Sequence, residues 1–327
     1  MKKVILTIIN ALFLSISVTL CQGVTYQGTY TPSSRIEING RKNFIIDGKE
    51  IKSVKNHCIT LWACHNVIIR NCKFGPSSAF VGIYLCDCSN VKITNCIFED
   101  VATALLAQGC SGNIKFENNE VKNVNSKKLR NYGSMVLFNE VRGVGNSICY
   151  NICENIAGES FPGDIISLYK SNGTSKSPIK VSNNWIRGGG PADWGGGIML
   201  GDCGGSYFLV ENNILVDPGQ YGIAVASGHH ITVRYNKIYA RRQEFCNVGL
   251  YAWNQTETEC HDLTIAHNEI NYTSKTGDRG ILWFAENVGK VAGTETNIFN
   301  PQLKSSILPA KIIGRKSGVA NTKKSVN

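Results

Sequence analysis

Midway along the chain, Asp164, Lys170 and Asp202 stand among cations, aromatics and glycines, and residues of these types can move protons. Aligning the short apolar strands described below through Val136, Ile166, Ile198, Ile223 and Leu250 puts Glu140, Lys170, Asp202, Ser227 and Asn254 in one column. Lys170 then lies between two acids on neighbouring repeats. An amine in that position is a base, a clamp for a substrate carboxylate, or one rung of a surface ion-pair ladder. Two adjacent acids raise its pKa, which opposes the first role at neutral pH. Asp164 and Asp202 are the pair that an inverting glycoside hydrolysis would use, with its carboxyls ~6.5–9.5 Å apart. The alignment sets them at opposite ends of neighbouring strands, roughly 20 Å apart, so only a movement of Asp193 toward Asp202 keeps hydrolysis open. Removing the proton beside a uronate carboxylate needs other parts: a cation to steady the carboxylate, a base, and often a tyrosine acid. Arg130, Tyr132, Arg142, Lys170, Arg187, His229, His230 and Arg234 supply them, and Trp194 could stack on a sugar ring. As a set, these residues suit elimination better than hydrolysis.

What must position them is a repeat. Asn66-Val-Ile-Ile-Arg-Asn-Cys72 returns as Asn90–Cys96, Asn113–Asn119, Pro178–Asn184, Tyr207–Asn213, His230–Asn236 and Asp262–Asn268, with a weaker unit over Asn146–Ile152. Successive units lie 23 to 33 residues apart. Each alternates apolar and polar, as in Val91/Ile93 against Lys92, which is the period of a strand with one buried face. A second and a third short strand follow each unit, for example Asn213-Ile-Leu and Gly222-Ile-Ala-Val. No helical period intervenes. The pattern predicts an all-β solenoid, a right-handed parallel β-helix of about eight or nine coils with three short strands per coil. Asn119, Asn184, Asn213, Asn236 and Asn268 should stack as an amide ladder at one bend, with Cys72 and Cys96 as reduced fillers of the same column. Stacked neighbours there sit slightly too far apart for a disulfide. Cys246 and Cys260, in loops, are the better disulfide candidates.

The long insertions, 123–133, 157–164, 188–196 and 241–248, fall between second and third strands, while 171–177 and 254–261 follow the third. They wall the third-strand face of the central coils on both edges, and an open-ended groove there suits a polymer.

Composition narrows the partners. Lys2 and Lys3 ahead of an apolar run from Val4 to Leu20 read as an export leader, so the expected location is secreted or periplasmic, with lipid anchoring through Cys21 as a lesser alternative. The leader is assigned to 1–23, the β-helix to 24–287, and a C-terminal cap or flexible basic tail without further coils to 288–327. The net charge is +10, of which the leader lysines and six cations after Leu303 account for eight, leaving about +2 for the body. Nucleic acid is therefore not an expected partner, nor is a membrane span, and a monomer is expected. Cys86-Asp87-Cys88 lacks the further ligands of a metal centre, and the glycines of Gly188–Gly197 lack a phosphate-loop ending. No metal ligand is assigned, although a divalent cation such as calcium could assist at the groove.

From Arg35 to Asn287 the sequence resembles the right-handed parallel β-helix superfamily of pectate lyases, polygalacturonases, alginate lyases and epimerases. The stretches Gly163–Lys170, Gly188–Gly197 and Gly219–Gly222 resemble the short β-helical alginate lyases of polysaccharide lyase family 31. That resemblance implies a Tyr and a Lys from successive turns acting in elimination, for which Tyr132 and Lys170 are the matches. An acidic polysaccharide, alginate first, is the expected substrate, and Arg130, Arg142, Arg187, Trp194, Asp202, His230 and Arg234 are the residues expected to bind it. A glycoside hydrolase, a uronate C5-epimerase and a non-catalytic carbohydrate-binding solenoid remain the alternatives.

Overall fold

A computed structural model describes residues 23–128 and 132–314. The chain winds as a right-handed parallel β-helix, and every strand pairs in parallel with the equivalent strand one coil away. The third strands show the stacking most directly. Nine successive pairings run from Ile36–Asn39 through Ile59–Trp62 and Val136–Asn139 to Val248–Ala252 and Leu282–Phe284, making ten ranks. That exceeds the eight or nine expected, because the first and last coils carry no recognisable unit. The alignment through Val136, Ile166, Ile198, Ile223 and Leu250 is the observed register. All five point inward and are fully buried. In the earlier coils Phe74 stacks on Phe98 at 4.7 Å between ring centres, and Phe98 meets Phe116 at 5.6 Å with the rings tilted.

Backbone geometry explains the seven-residue unit. Its first residue is left-handed in most coils (Asn66, Asn90, Asn113, Tyr207, His230 and Asp262), and so is its sixth (Asn71, Asn95, Asn118, Asn183, Asn212, Tyr235 and His267). Asn, Asp and His tolerate that conformation better than other side chains. The unit is thus a strand with a sharp bend at each end. Its seventh residue points inward as the amide ladder. Asn151 belongs to it, one residue before the end assigned to the weak unit, and Asn297 extends it. Each rung accepts the N–H of the coil below, as Asn213 does from Asn184 at 3.0 Å, and donates to a strand carbonyl of the coil below, as Asn184 does to Ile148 at 2.8 Å. Ladder amides therefore satisfy backbone groups that the bend would otherwise leave unpaired.

Cys72 and Cys96 fill this column below Asn119 as buried thiols. Cys246 and Cys260 form no disulfide. Cys246 is buried under its loop with its thiol toward the Gly219 carbonyl (3.5 Å), whereas Cys260 opens a strand opposite Gly228. The segment after Val288 adds a partial coil through Val291–Ala292 and Ile298–Phe299. It then returns along the second-strand side, where Leu308 and Ile312 bury against Ile152, Trp185 and Val216. Among the described residues no helix is long and apolar enough to cross a membrane. The leader, Cys21, Arg130 and the chain beyond 314 lie outside the described residues.

Candidate functional site

Alternate residues of the third strands face outward, so Leu137, Ser167 and Met199 share one level and Asn139, Tyr169 and Asp202 another. Loops 157–164 and 188–197 rise where these strands begin. Between loops and strands runs a groove of about 440 Å³, lined by Tyr132, Ser134, Leu137, Asn139, Asp164, Ser167, Tyr169, Trp194 and Asp202. It lies on the face that the insertions were expected to wall.

Asp164 is its most perturbed group. The residue is half-buried and accepts hydrogen bonds from the Tyr221 hydroxyl and from the Gly196 N–H at 3.2 Å. Burial pushes its carboxyl up to about 7 in spite of the lowering effect of those two donors, and the charge of Asp202 adds to the rise. Tyr221 is almost fully buried, edge-on to Tyr251 at 5.3 Å. A Cβ at Gly196 would come within 2.6 Å of the Tyr221 ring, so glycine is what lets that ring lie against the loop and reach Asp164. Burial also raises Asp202, partly offset by a hydrogen bond from the Cys203 thiol, and raises the Tyr132 phenol.

Both carboxyls line one groove, and the Asp202 charge contributes to the rise at Asp164. The register slips here, because Leu168 pairs with Leu200 but Tyr169 pairs with Asp202. Gly201, left-handed, is the extra residue, and the slip draws Asp202 back by one position, ~3.3 Å. It also takes Asp202 out of the Lys170 column. Lys170 has Glu140 on one side and Cys203 on the other, and all three are left-handed bend residues. Its ammonium lies over the Tyr169 ring, 5.2 Å from the centre. Hydrogen bonding to Tyr169 is the main cause of its raised pKa, with the Tyr169, Cys203 and Glu140 charges adding to it. Lys170 therefore holds a proton at neutral pH.

The remaining expected residues separate. Lys170 and Arg142 line a different depression of about 320 Å³ beyond the bend, so Tyr132 and Lys170 do not share a pocket. Arg142 pairs with Glu140 at 3.3 Å. Arg187 sits on the second-strand side, bound to Glu154 at 3.0 Å and to the carbonyls of Pro309 and Ala310. Arg234 pairs with Glu211 on the first-strand sheet at 2.8 Å, and His230 lies against Asp262 there. The three faces of the coil point in different directions, and charged residues close in sequence are dealt among them. Asp193 is exposed and does not line the groove.

Sequence reasoning passed over Tyr221, Tyr251, Trp253 and Trp283. An apolar depression of about 500 Å³ continues along the same sheet between them. Trp253 and Trp283 are 44% and 49% exposed and meet edge to face at 6.0 Å. Large aromatics at outward strand positions were the signal that could have found them. Together the arrangement offers an acid that keeps its proton near neutrality, a second carboxyl across a groove, and aromatic surface on which rings can stack.

Residues 15–141 match the family model described as a right-handed beta helix region. No curated protein matches the sequence. Among solved structures the chain is similar to a mutant tailspike protein of E. coli bacteriophage HK620 in complex with a pentasaccharide, at 12% identity and a TM-score of 0.46, over 83% of this chain and 58% of that one. It is also similar to the catalytic domain of a GH87 alpha-1,3-glucanase in complex with tetrasaccharides, at 10% identity and a TM-score of 0.38, over 85% of this chain and 62% of that one. The chain thus spans about three fifths of the length of these structures. By its own coils and by the family match, the chain is a right-handed parallel β-helix.

Proposed function

We propose that the groove binds a polysaccharide and cleaves it by acid-assisted glycoside hydrolysis, with Asp164 as the general acid and Asp202 as its partner carboxyl. The observation that carries this reading is the convergence of both carboxyls on one aromatic-walled groove, with the Asp164 oxygen held by Tyr221. A neutral acid at the glycosidic oxygen and an ionised carboxylate across the ring are the two parts that hydrolysis requires. Trp194, Trp253 and Trp283 offer stacking surfaces along the same face, consistent with a chain of several sugars. An export leader at 1–23 would bring the protein to such polymers outside the cytoplasm.

A second reading is β-elimination on a uronate polymer such as alginate, with Tyr132 and Lys170 in the catalytic roles. Its support is that Tyr132 lines the groove while Lys170 and Arg142 supply cations in the adjoining depression. Hydrolysis has the better support, because no Lys or Arg stands among the described residues lining the groove itself.

Polymers that bind the purified protein on a glycan array would be incubated with it, following both reducing ends and the ultraviolet absorbance of unsaturated products. Reducing ends without absorbance, lost in Asp164→Asn, are the expected result. Absorbance lost in Tyr132→Phe would replace hydrolysis with elimination. A bound polymer left uncut would make the groove a binding site only.

A further inference from the structure

Three of the chain's six histidines meet at one place that the groove does not use. His229 is level with His261 one coil on, with their rings stacked 5.0 Å apart, and His230 and Asp262 occupy the left-handed column next to them. In the early coils that column is Asn43, Asn66, Asn90 and Asn113, each amide bonded to the next. The left-handed bend, which breaks the usual alternation of a strand, lets His229 and His230 turn to the same side. Their Nδ1 atoms lie 2.7 Å apart.

We propose that His230, His261 and Asp262 bind a first-row divalent transition ion of the zinc class. Their ligand atoms all lie within 4.8 Å of one another. Asp262 Oδ2 is 2.9 Å from His261 Nδ1 and 3.5 Å from His230 Nε2. The other nitrogen of each ring is already occupied: His229 engages His230 Nδ1, and the Glu259 carboxylate lies 3.6 Å from His261 Nε2. Such outer partners set the tautomer and aim the free nitrogen of a metal-binding imidazole. Here His261 Nδ1 and His230 Nε2 both face the Asp262 carboxylate. Bonds of about 2.0–2.2 Å to zinc place ligand atoms ~3.4 Å apart, so the Asp262–His230 pair is already at that spacing and the other pairs adjust by ~1.4 Å or less. The three side chains are exposed and have room for that. Two imidazoles and one carboxylate select zinc and its neighbours over calcium, which takes oxygen ligands. Left-handed tolerance accounts for His230 and Asp262 in their column, but not for His229, Glu259 and His261 converging on them.

The full chain without a histidine tag, stripped with chelator, would be titrated with Zn²⁺ by calorimetry. One equivalent is expected to bind and to raise Tm, and Ca²⁺ is expected to do neither. His230→Asn with Asp262→Asn restores the residue that fills this column elsewhere, so the double variant should keep the apo Tm and far-ultraviolet spectrum while losing the Zn²⁺ binding. His261→Gln, outside the left-handed column, should lose it as well. No stoichiometric binding by the native chain, equal binding by both variants, or equal binding of Ca²⁺ would overturn the proposal.

Discussion

Asp164 illustrates how one half-buried carboxyl can set two pH dependences. As an acid it must carry its proton, so turnover should fall as pH rises through about 7. The Tyr221 hydroxyl stabilises the ionised form, and Tyr221→Phe should therefore move that alkaline limb to higher pH; an unmoved limb would remove Asp164 from the acid role. Asp164→Asn should cost ~10²–10⁴-fold in kcat. The stability effect has the opposite logic to that of a salt-bridged acid. The folded pKa lies above the unfolded one, near 3.8, so the contribution is complete below pH 4 and is lost as pH rises toward 7. The Tm of the native protein should thus fall more steeply between pH 4 and 7 than that of Asp164→Asn. The residue types at this site were visible in the sequence, and Asp164, Asp202, Tyr132 and Trp194 were all singled out. That Asp164 shares a groove with Asp202 was not expected, and the level of Asp202 was misplaced because a one-residue slip at Gly201 changes which side chain stands opposite Tyr169, and spacing alone does not reveal a bulge.

At the scale of the coil, the amide ladder is what each bend depends on. Asn184 accepts from both the backbone and the side chain of Asn151, each at 3.0 Å, and donates to the Ile148 carbonyl. Removing it takes a hydrogen-bond partner from the Asn151 N–H, the Asn151 amide and the Ile148 carbonyl, all buried, so Asn184→Ala should lower unfolding stability by roughly 2–4 kcal/mol in denaturant titration. Asn66→Gly in the exposed outer ladder should stay within ~0.5 kcal/mol. Equal losses would mean that the inner ladder has no special weight. The ladder was legible because its members recur at the end of every unit. Asn151 was misassigned because its unit lacks the apolar alternation that marked the others.

Across the whole molecule, both outer segments meet at Glu120. Its two carboxyl oxygens accept the N–H of Val24 and the N–H of Gly314, each at 2.9 Å, on the second-strand side. Arg187 fastens the returning segment through the carbonyls of Pro309 and Ala310. Glu120→Ala should speed amide exchange in 23–30 and 303–314 while leaving the central coils protected, at a cost of ~1–3 kcal/mol. Uniform acceleration along the chain would show that these segments brace every coil.

Period-two alternation, a recurring Asn and the near absence of a helical period determine the β-helix from sequence alone, because each coil repeats the same local problem of bend and strand. The third-strand face could be located in the same way, since insertions mark it. Only the tertiary structure decided which outward residues share a face. Arg187, Arg234 and His230 left the groove because the coil turns them to other sides. Asp202 stands in it, level with Tyr169, because a bulge at Gly201 shifted its register, and Asp164 reaches it from the loop before its strand. Coil repetition is a local property that sequence spacing records, whereas convergence across coils depends on loop length and on single-residue slips.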